Sequence, residues 1–448
     1  MLSWSSSNDF FIITLKIRRL IHKNNLVKVT SANIILVICR MVAALLTQKV
    51  LSVLVGAQGI ALVGNLKNVI RFLEHFSILG TSEGLVKYIA EYKKSEKSVR
   101  DIFSIILVFT IITSICVFVI CFFFSKDLSI ILFKDTTYSY IFKVLSFIIP
   151  FIGLGAFLNA FLNGLSAYKQ YTKSAITTVI LAAILIVLLT YYLELKGALL
   201  AICFIPIIQC FSCIAFLSKS QKGLLKTHLF SLDIKLRNYL LSYGVTSIIV
   251  IASVNICDIA IRSLITHYIN LDNAGYWTAM STISKTYMQF LSALFPLYIL
   301  PRYATISNKL GFITEIKKIY TTLIPVIILG MFFVYLFRLP IIKLLYTDDF
   351  LIATTFFKWQ LLGDFIKFIA LVMAYVFLAK KQLYYFFITE IISVILFYSL
   401  SVFFIKTYHT EGVIIAHFIR NIGYLFMVLI LLKRYFVNNG IESYDSDL

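Results

Sequence analysis

The chain has 448 residues, of which 60% are hydrophobic and 14% are charged, and its formal net charge is +20. Soluble domains have about a quarter of their residues charged, so this composition excludes an ordinary soluble protein and indicates that lipid surrounds most of the chain. Nucleic acid is not the expected partner, because the basic residues follow a pattern that membrane topology explains.

Apolar runs of about twenty residues divide the sequence, and this length predicts transmembrane helices. The sequence does not show the ten-residue alternating segments that are typical of membrane β-barrels. Twelve runs are predicted, at about 32–55, 61–90, 102–124, 140–165, 174–193, 197–217, 239–266, 275–300, 319–337, 354–379, 384–405 and 412–432.

The loops between these runs alternate in basic charge. Basic clusters lie in 1–31, 93–100, 169–173, 219–237, 302–318, 380–381 and 433–434. Because basic loops remain cytoplasmic, the alternation predicts a multi-pass protein of the bacterial inner membrane with both termini in the cytoplasm. Segment 1–31 lacks the features of a signal peptide and fits either a short interfacial helix or a disordered basic tail. Segment 436–448 is the predicted cytoplasmic tail.

The two halves of the sequence resemble each other weakly. Three correspondences, at offsets between 212 and 216, are Gly59 with Gly275, Lys169-Gln170 with Lys381-Gln382, and Gly197 with Gly412. With six runs per half, both halves have the same orientation, which predicts a parallel repeat about an axis along the membrane normal. We therefore expect an all-α integral membrane protein with an N-lobe (32–218), a cytoplasmic linker (219–237) and a C-lobe (238–435).

Charged residues inside the runs are mostly cationic. A charge at mid-membrane costs from about 3 to more than about 10 kcal/mol, so such side chains normally face the bundle interior or a wet cavity. The cations in or at the ends of runs are Arg40, Lys49, Lys67, Arg71, Lys87, Lys143, Arg262, Lys285, Lys358, Lys367 and Arg420. The acids are Glu74, Glu83, Asp258, Asp364 and Glu390.

Two structural explanations compete with a cavity for these cations. Lys87, Lys143 and Lys358 lie near run ends, from which long side chains reach the headgroups. Three acid–base pairs share a helix face and can form structural ion pairs, namely Arg71 with Glu74, Asp258 with Arg262, and Asp364 with Lys367. Neither explanation covers the cations that have no acid within one helical turn, which are Arg40, Lys49, Lys67, Lys285 and Arg420.

Polar residues accompany the cations in two runs at helical spacing. The eighth run has Ser281, Ser284, Lys285 and Gln289, and the twelfth has His417, Arg420 and Asn421. These helices are predicted to line a space between the lobes. A cavity with net positive charge favours an anionic ligand, and phosphate is the natural candidate because both arginine and lysine bind it well.

Other motifs carry less information. Several prolines lie in or at the ends of runs and are candidate hinges, namely Pro150, Pro206, Pro296, Pro301 and Pro325. Cys210 and Cys213 lie one turn apart without a histidine or carboxylate beside them, so we expect no metal and no cofactor. The sequence has no Gly-rich phosphate loop or nucleophile elbow, which argues against an enzyme.

Four strings in a fixed order are recognisable: GAQG at Gly56, GLVKYIAEY at Gly84, GYWTAMSTISKTYMQFLSALFPLYILPRY at Gly275 and WQLLGDFIKF at Trp359. Together they resemble the Wzx-type flippases for O-antigen and enterobacterial common antigen, in the multidrug/oligosaccharidyl-lipid/polysaccharide (MOP) superfamily. The resemblance runs from about residue 31 to 435 and implies two MATE-like six-helix lobes.

The resemblance also implies a function, which is transport of an undecaprenyl-diphosphate-linked oligosaccharide, an O-antigen or related surface polysaccharide unit. Such a flippase moves this glycolipid from the cytoplasmic to the periplasmic leaflet by alternating access. The implied partners are the glycolipid, membrane lipids, and the polysaccharide polymerase and chain-length regulator.

The predicted site has two parts. The substrate-binding group for the diphosphate is Arg40, Lys49, Lys67, Arg262, Lys285, Lys367 and Arg420. The acids predicted to couple transport to an ion, by exchanging a proton, are Asp258, Asp364 and Glu390. Similar sequences look charged in like manner at Arg40, Lys49, Lys67, Lys87, Arg262, Asp364, Lys367 and Glu390. Lys285 departs from them, since the similar position looks acidic, and Arg71, Glu74, Asp258 and Arg420 have no clear counterpart.

Three other functions remain open. A multidrug or organic-ion exporter of the same superfamily handles cations and should have an acid-rich interior. A membrane polysaccharide polymerase or glycosyltransferase needs catalytic acids on a sizeable outer loop, whereas the acids of these loops look like ordinary solvated charges, namely Asp127, Asp135, Asp348 and Asp349. A scaffold that only recruits biosynthetic enzymes is also compatible with the sequence.

Overall fold

A computed structural model describes residues 25–93, 95–225, 234–306 and 308–438, and all regular structure in these ranges is helical. Most of the N-terminal segment, part of the linker and most of the C-terminal tail lie outside the described residues. The α-helices are α1 (Asn25–Phe76), α2 (Ser82–Tyr92), α3 (Glu96–Phe123), α4 (Ser125–Phe133), α5 (Ser139–Gly164), α6 (Tyr168–Phe216), α7 (Lys219–Leu224), α8 (Ile234–Tyr268), α9 (Leu271–Leu294), α10 (Leu300–Thr305), α11 (Lys309–Leu336), α12 (Arg338–Leu345), α13 (Phe357–Ala379) and α14 (Leu383–Asn438). Short turns are a π-helix at Phe295–Ile299 and 3₁₀-helices at Thr136–Tyr138 and Asp348–Phe356.

Each of the twelve predicted runs corresponds to helix. Helices α6 and α14 hold two runs each and are broken once, at Glu194 and at His409. Helix α1 holds the first run and the first part of the second and is broken at Gly56. Eight helices of the described chain are long and apolar enough to cross a membrane, and they account for eleven runs. The remaining run is α9, which is more polar. The all-helical membrane fold is therefore confirmed.

The backbone shows the parallel repeat directly. Glu194 (φ 49°, ψ −132°) and His409 (φ 51°, ψ −135°) are 215 residues apart and have nearly the same left-handed conformation. Immediately after each break a glycine packs so closely on a backbone carbonyl that a Cβ atom would not fit, Gly197 on Leu189 and Gly412 on Phe404. The chain therefore turns in the same way at equivalent positions of the two halves.

The predicted second run, 61–90, is not one helix. Helix α1 ends at Phe76, and α2 begins at Ser82. Between them the Gly80 N–H donates to the carbonyl of His75 at 2.6 Å, and both Leu79 and Gly80 have positive φ. A glycine in this conformation is a common helix C-terminal signal, but hydropathy alone does not detect it. The break turns the chain and opens a pocket between these two helix ends and helices α5 and α6.

The two halves share one core at one end of the bundle and have separate cores at the other. Ile60 and Ile149 pack in the same apolar cluster as Ile265 and Val413. Toward the end that carries the basic loops, hereafter the basic end, the N-terminal half has its own cluster around Phe161, and the C-terminal half has another around aromatic residues such as Phe312 and Phe377. Leu240 of α8 packs in the N-terminal cluster, so α8 crosses from one half to the other.

Candidate functional site

Helix α9 carries the polar stripe that the sequence predicted for the eighth run. Lys285 and Gln289 are exposed, and Ser281 is partly buried. The ammonium of Lys285 lies 2.6 Å from a carboxylate oxygen of Asp258 on α8. The Lys285 side chain is 47% exposed and that of Asp258 14%, so the lysine end of this ion pair is accessible at the surface of the helices. Lys285 has no acid within one turn of its own helix, and its acidic partner comes from another helix.

Arg262 of α8 is buried, with 3% of its surface exposed. Its Nε donates to the Thr278 hydroxyl at 2.9 Å, and its Nη1 donates to the Asn65 side-chain oxygen at 3.1 Å and to the Asp258 carbonyl at 3.3 Å. The guanidinium also lies over the Trp277 ring, 5.3 Å from its centroid. These contacts tie α8 to α1 and α9 and leave Arg262 little capacity for a ligand in this conformation.

A second polar group, the Asp364 network, is enclosed by α9, α13 and α14. Asp364 is 2% exposed, and both of its oxygens accept hydrogen bonds. Ser284 donates at 2.6 Å, Gln360 at 3.1 Å and His417 Nε2 at 3.0 Å, and the Tyr287 hydroxyl is the fourth donor. A buried carboxylate with this many donors is well stabilised without a cation beside it.

The protonation of His417 follows from its neighbours. Arg420 lies 3.1 Å from His417 Nδ1, and a guanidinium can only donate, so Nδ1 must accept. The neutral ring with its proton on Nε2 satisfies both Arg420 and Asp364, and the side-chain amide nitrogens of Gln360 and Asn421 also lie 3.2 and 3.1 Å from Nε2. Arg420 also donates to the Asn421 side chain at 3.3 Å and lies over the Phe397 ring, 4.8 Å from its centroid. Its guanidinium is thus held inside the C-terminal half.

The three predicted same-face ion pairs do not form within the described residues. Arg262 contacts only the backbone of Asp258, and Asp364 uses the donors named above instead of Lys367. Arg71 and Glu74 make no ion pair with each other. Helical spacing puts both members of a pair on one face, but the facing helices supply closer partners.

Of the eleven cations in or at the ends of runs, six have no side-chain hydrogen bond or ion pair among the described residues, namely Arg40, Lys67, Arg71, Lys143, Lys358 and Lys367. Lys143 and Lys358 lie near run ends, which leaves Arg40, Lys67 and Arg71 on α1 and Lys367 on α13. Lys67 and Lys367 are partly buried, and Arg71 is exposed. The electrostatic neighbours of Lys67 are Arg71 and Arg262, which are both cations. Repulsion among like charges in a partly buried place is relieved when an anion binds there.

Lys49 has a different position from the one predicted. Its ammonium donates to the backbone carbonyls of Lys343 and Tyr346, at 2.8 and 2.5 Å. These carbonyls belong to the C-terminal end of α12, where a cation is favourable. Lys49 therefore stabilises a short helix at the end opposite the basic loops. Glu390, predicted to couple an ion, accepts a hydrogen bond from the Tyr424 hydroxyl at 2.9 Å.

Several residues of the two networks were not predicted from the sequence. Gln360 lies four residues before Asp364, so its position on the same helix face was a usable signal. Asn65, Thr278 and Tyr287 carry no such signal, because each reaches its partner across a helix boundary.

The acids of the outer loops have structural roles. Asp135 accepts hydrogen bonds from the backbone N–H and the hydroxyl of Thr137, both at 2.8 Å, and these bonds hold the pKa of Asp135 below its ordinary value. Asp127, Asp348 and Asp349 lie in the first turns of short helices, where a negative charge is favourable. All four are exposed.

The family model described as "Polysaccharide biosynthesis protein" matches residues 26–307. The chain belongs to that family.

A curated protein with a similar sequence is the "Lipid III flippase" of Escherichia coli (strain K12). This chain is 27% identical to it over 358 residues, which cover 78% of this chain and 84% of that protein.

Solved structures agree on the fold. A multidrug resistance MATE family transporter of the MOP superfamily, in an inward-facing conformation, has a TM-score of 0.72 at 12% identity and covers 91% of this chain and 100% of its own. The lipid II flippase MurJ, in an inward closed conformation, has a TM-score of 0.70 at 17% identity and covers 91% and 87%. This member of the polysaccharide biosynthesis family therefore has the fold of MOP-superfamily transporters.

Proposed function

We propose that this protein is a flippase that moves a lipid-linked oligosaccharide across the bacterial inner membrane. The observation that carries the proposal is the group of unpaired cations beside the space between the halves, Lys67, Arg71 and Lys367. The family, the curated relative and the MurJ fold support transport of a lipid-linked sugar over catalysis. The substrate we propose is an undecaprenyl-diphosphate-linked unit of O-antigen or a related surface polysaccharide.

The orientation we propose puts the basic end in the cytoplasm, with both termini there, because basic loops are retained on that side. The halves have separate cores at the basic end and a common core at the other. We infer that this conformation is open to the cytoplasm and closed to the periplasm. Alternating access then requires that the common core separates while the basic ends approach each other.

In the inward-open state the diphosphate binds Lys67 and Arg71 of the N-terminal half and Lys367 of the C-terminal half, and Arg40 contributes from α1. Arg262 supports this site by its position beside Lys67, and Lys285 contributes once an anion competes with Asp258 for its ammonium. Arg420 positions His417, and Lys49 stabilises α12, so we leave both out of the direct contacts. The polyprenyl tail remains in the lipid.

Energy for export comes in part from the membrane potential. Moving about two negative charges out of a cell that is negative inside is favoured by roughly 4 to 5 kcal/mol per 100 mV. Of the three acids proposed for ion coupling, Asp258 is paired with the exposed Lys285 and its own side chain is 14% exposed, whereas Asp364 and Glu390 are hydrogen-bonded inside the C-terminal half. We therefore propose Asp258 as the first candidate for proton exchange, with the other two behind it.

The rival functions are less well supported. The described interior has more unpaired cations than unpaired acids, of which Glu74 is one, and this excess disfavours an exporter of organic cations. The outer-loop acids are exposed and lie in or just before the first turns of short helices, which disfavours a polymerase. A polysaccharide polymerase and a chain-length regulator remain proposed partners that would receive the exported unit.

The test is a flipping assay in proteoliposomes with undecaprenyl-diphosphate-linked oligosaccharide. The double variant Lys67→Gln/Lys367→Gln removes one unpaired cation from each half and is expected to lower the initial flipping rate at least ten-fold. The matched control is Lys358→Gln, because Lys358 is an exposed lysine over the Trp359 ring and lies outside the cation group. Flipping by the double variant at the rate of the control would overturn the proposal.

A further inference from the structure

A polar pocket of about 290 Å³ lies in the N-terminal half near the basic end. It is bounded by the last turn of α1, the first turn of α2, and α5 and α6. The pocket exists because the chain breaks after Phe76, so the side chains that end α1 and begin α2 face α5 and α6. Its polar lining consists of Glu74, His75, Ser82, Asn159, Asn163, Tyr171 and Gln209.

The polar side chains of this pocket have few partners within the protein. Within the described residues, the side chains of Glu74, Asn159, Asn163, Tyr171 and Gln209 make no hydrogen bond and no ion pair. They are partly or fully exposed, so water can satisfy them in the open pocket. Several such donors and acceptors around one cavity favour a ligand that can replace this water with many hydrogen-bonding groups of its own.

The chemistry of the lining fits a sugar better than an ion. Side-chain amides both donate and accept, a carboxylate accepts at two oxygens, and these match adjacent hydroxyl groups. Tyr171 adds an aromatic ring with an apolar face and a polar tip. The lining has no lysine or arginine, so a phosphate is not its expected ligand. The volume is just below the usual range for small-molecule sites, roughly 300 to 1,000 Å³, which suits one sugar ring.

The position of the pocket relative to the cations fits one elongated headgroup. Lys67, Arg71 and Glu74 follow at spacings of four and three residues, so they lie on one face of α1. At 1.5 Å of rise per residue, Glu74 is about 10 Å from Lys67 along the helix. A diphosphate held by Lys67 and Arg71 therefore brings a sugar linked to it within reach of the pocket.

Three polar positions of this lining are apolar in the C-terminal half. Ser166 and Lys381, which follow α5 and α13 and both have positive φ, are 215 residues apart, so the structure fixes the offset here at 215 and not at the 212 of the Lys-Gln correspondence. At this offset Asn159 corresponds to Ala374, Asn163 to Leu378 and Tyr171 to Phe386. Ala374 and Phe386 belong to the apolar core of that half. The C-terminal half thus forms the same helices with apolar residues at these positions. We infer that Asn159, Asn163 and Tyr171 are polar for a reason other than helix packing.

We propose that this pocket is a carbohydrate subsite, which holds one sugar of the glycolipid whose diphosphate binds Lys67 and Arg71. The inference rests on the proposed flippase function and assigns the recognition of the glycan to the N-terminal half. The subsite would make transport depend on the identity of the sugar near the diphosphate.

The test compares binding of two probes to the full-length protein in lipid nanodiscs. One probe is undecaprenyl diphosphate, and the other is undecaprenyl-diphosphate-linked oligosaccharide isolated from a host in which this gene is deleted. The variant Asn159→Ala/Asn163→Leu installs the residues of the C-terminal half. It is expected to bind the glycolipid at least ten-fold more weakly than the wild type and to bind undecaprenyl diphosphate unchanged.

The comparison variant is Lys67→Gln/Arg71→Gln, which is expected to weaken binding of both probes. Wild-type affinity of Asn159→Ala/Asn163→Leu for the glycolipid would overturn the subsite and leave the flippase proposal intact. Failure of the wild type to bind either probe would overturn the flippase proposal and the subsite with it. If the double variant does not fold, Asn163→Leu alone is measured in the same way, because Asn163 is exposed and tolerates substitution.

Discussion

The Asp364 network of the C-terminal half and the Lys67–Arg71–Glu74 face of the N-terminal half both contain charged residues inside the membrane-spanning part. They differ in whether the charged side chains have hydrogen-bond partners. Asp364 accepts four hydrogen bonds inside a closed network. Glu74 and the two cations have no hydrogen-bond partner in the described part of the chain. A closed network stabilises the packing of its helices, whereas unsatisfied groups beside a cavity are available to a ligand. The difference separates structural charges from functional ones.

The largest expected effect comes from comparing the loss of one acid in each region, Asp364 and Glu74. Asp364→Ala leaves its four donors unpaired in a buried place, and we expect it to destabilise the fold by about 2 to 4 kcal/mol. Glu74→Ala removes an acid that has no hydrogen bond, and its expected effect on stability is below about 0.5 kcal/mol. The measurement is the Tm of each variant in detergent against the wild type. Equal losses of Tm would remove the distinction between the two regions.

A second prediction concerns the end where the halves share a core. Gly275 of α9 lies so close to α1 that a Cβ atom would be 2.1 Å from the Ala57 carbonyl oxygen. We expect Gly275→Leu to separate the halves there, at a cost of about 1 to 3 kcal/mol for overpacking. Spin labels at Tyr192 and Phe403, which are both exposed near this end, should report a longer distance in a cysteine-free background.

The control for this variant is Gly330→Leu on α11, because a side chain added at Gly330 meets no atom within 4 Å. It should leave the label distance at the wild-type value. An unchanged distance in Gly275→Leu would show that the close contact does not hold the halves together.

The smallest expected effect concerns Lys49, a cation of the first apolar run that donates to backbone carbonyls. Lys49→Met loses two hydrogen bonds to the carbonyls of Lys343 and Tyr346, for which we expect a loss of about 1 to 2 kcal/mol of stability. The flipping rate per folded protein should remain that of the wild type. Lys358→Met is the matched control and should change neither quantity. A drop in flipping rate without a drop in Tm would return Lys49 to the binding site.

The membrane fold was predictable because few backbone structures are stable in lipid. A backbone in hydrocarbon must satisfy its own hydrogen bonds, so apolar runs of the required length become helices, and the repeat of Gly197 and Gly412 reports two equivalent corners. The break after Phe76 was not predicted, since a local turn at Gly80 overrides a continuous apolar run. The roles of the prolines as hinges and the cytoplasmic location of the termini stay predictions.

The helices, their repeat and the side chains that share a helix face can be read from the residue order, because they depend on hydropathy and on the period of the α-helix. Which faces meet depends on how the helices pack. Asp258 pairs with Lys285 and not with Arg262, and Asp364 binds His417 and not Lys367, because partners on neighbouring helices are closer than those one turn away. Helical spacing carries no information about that choice.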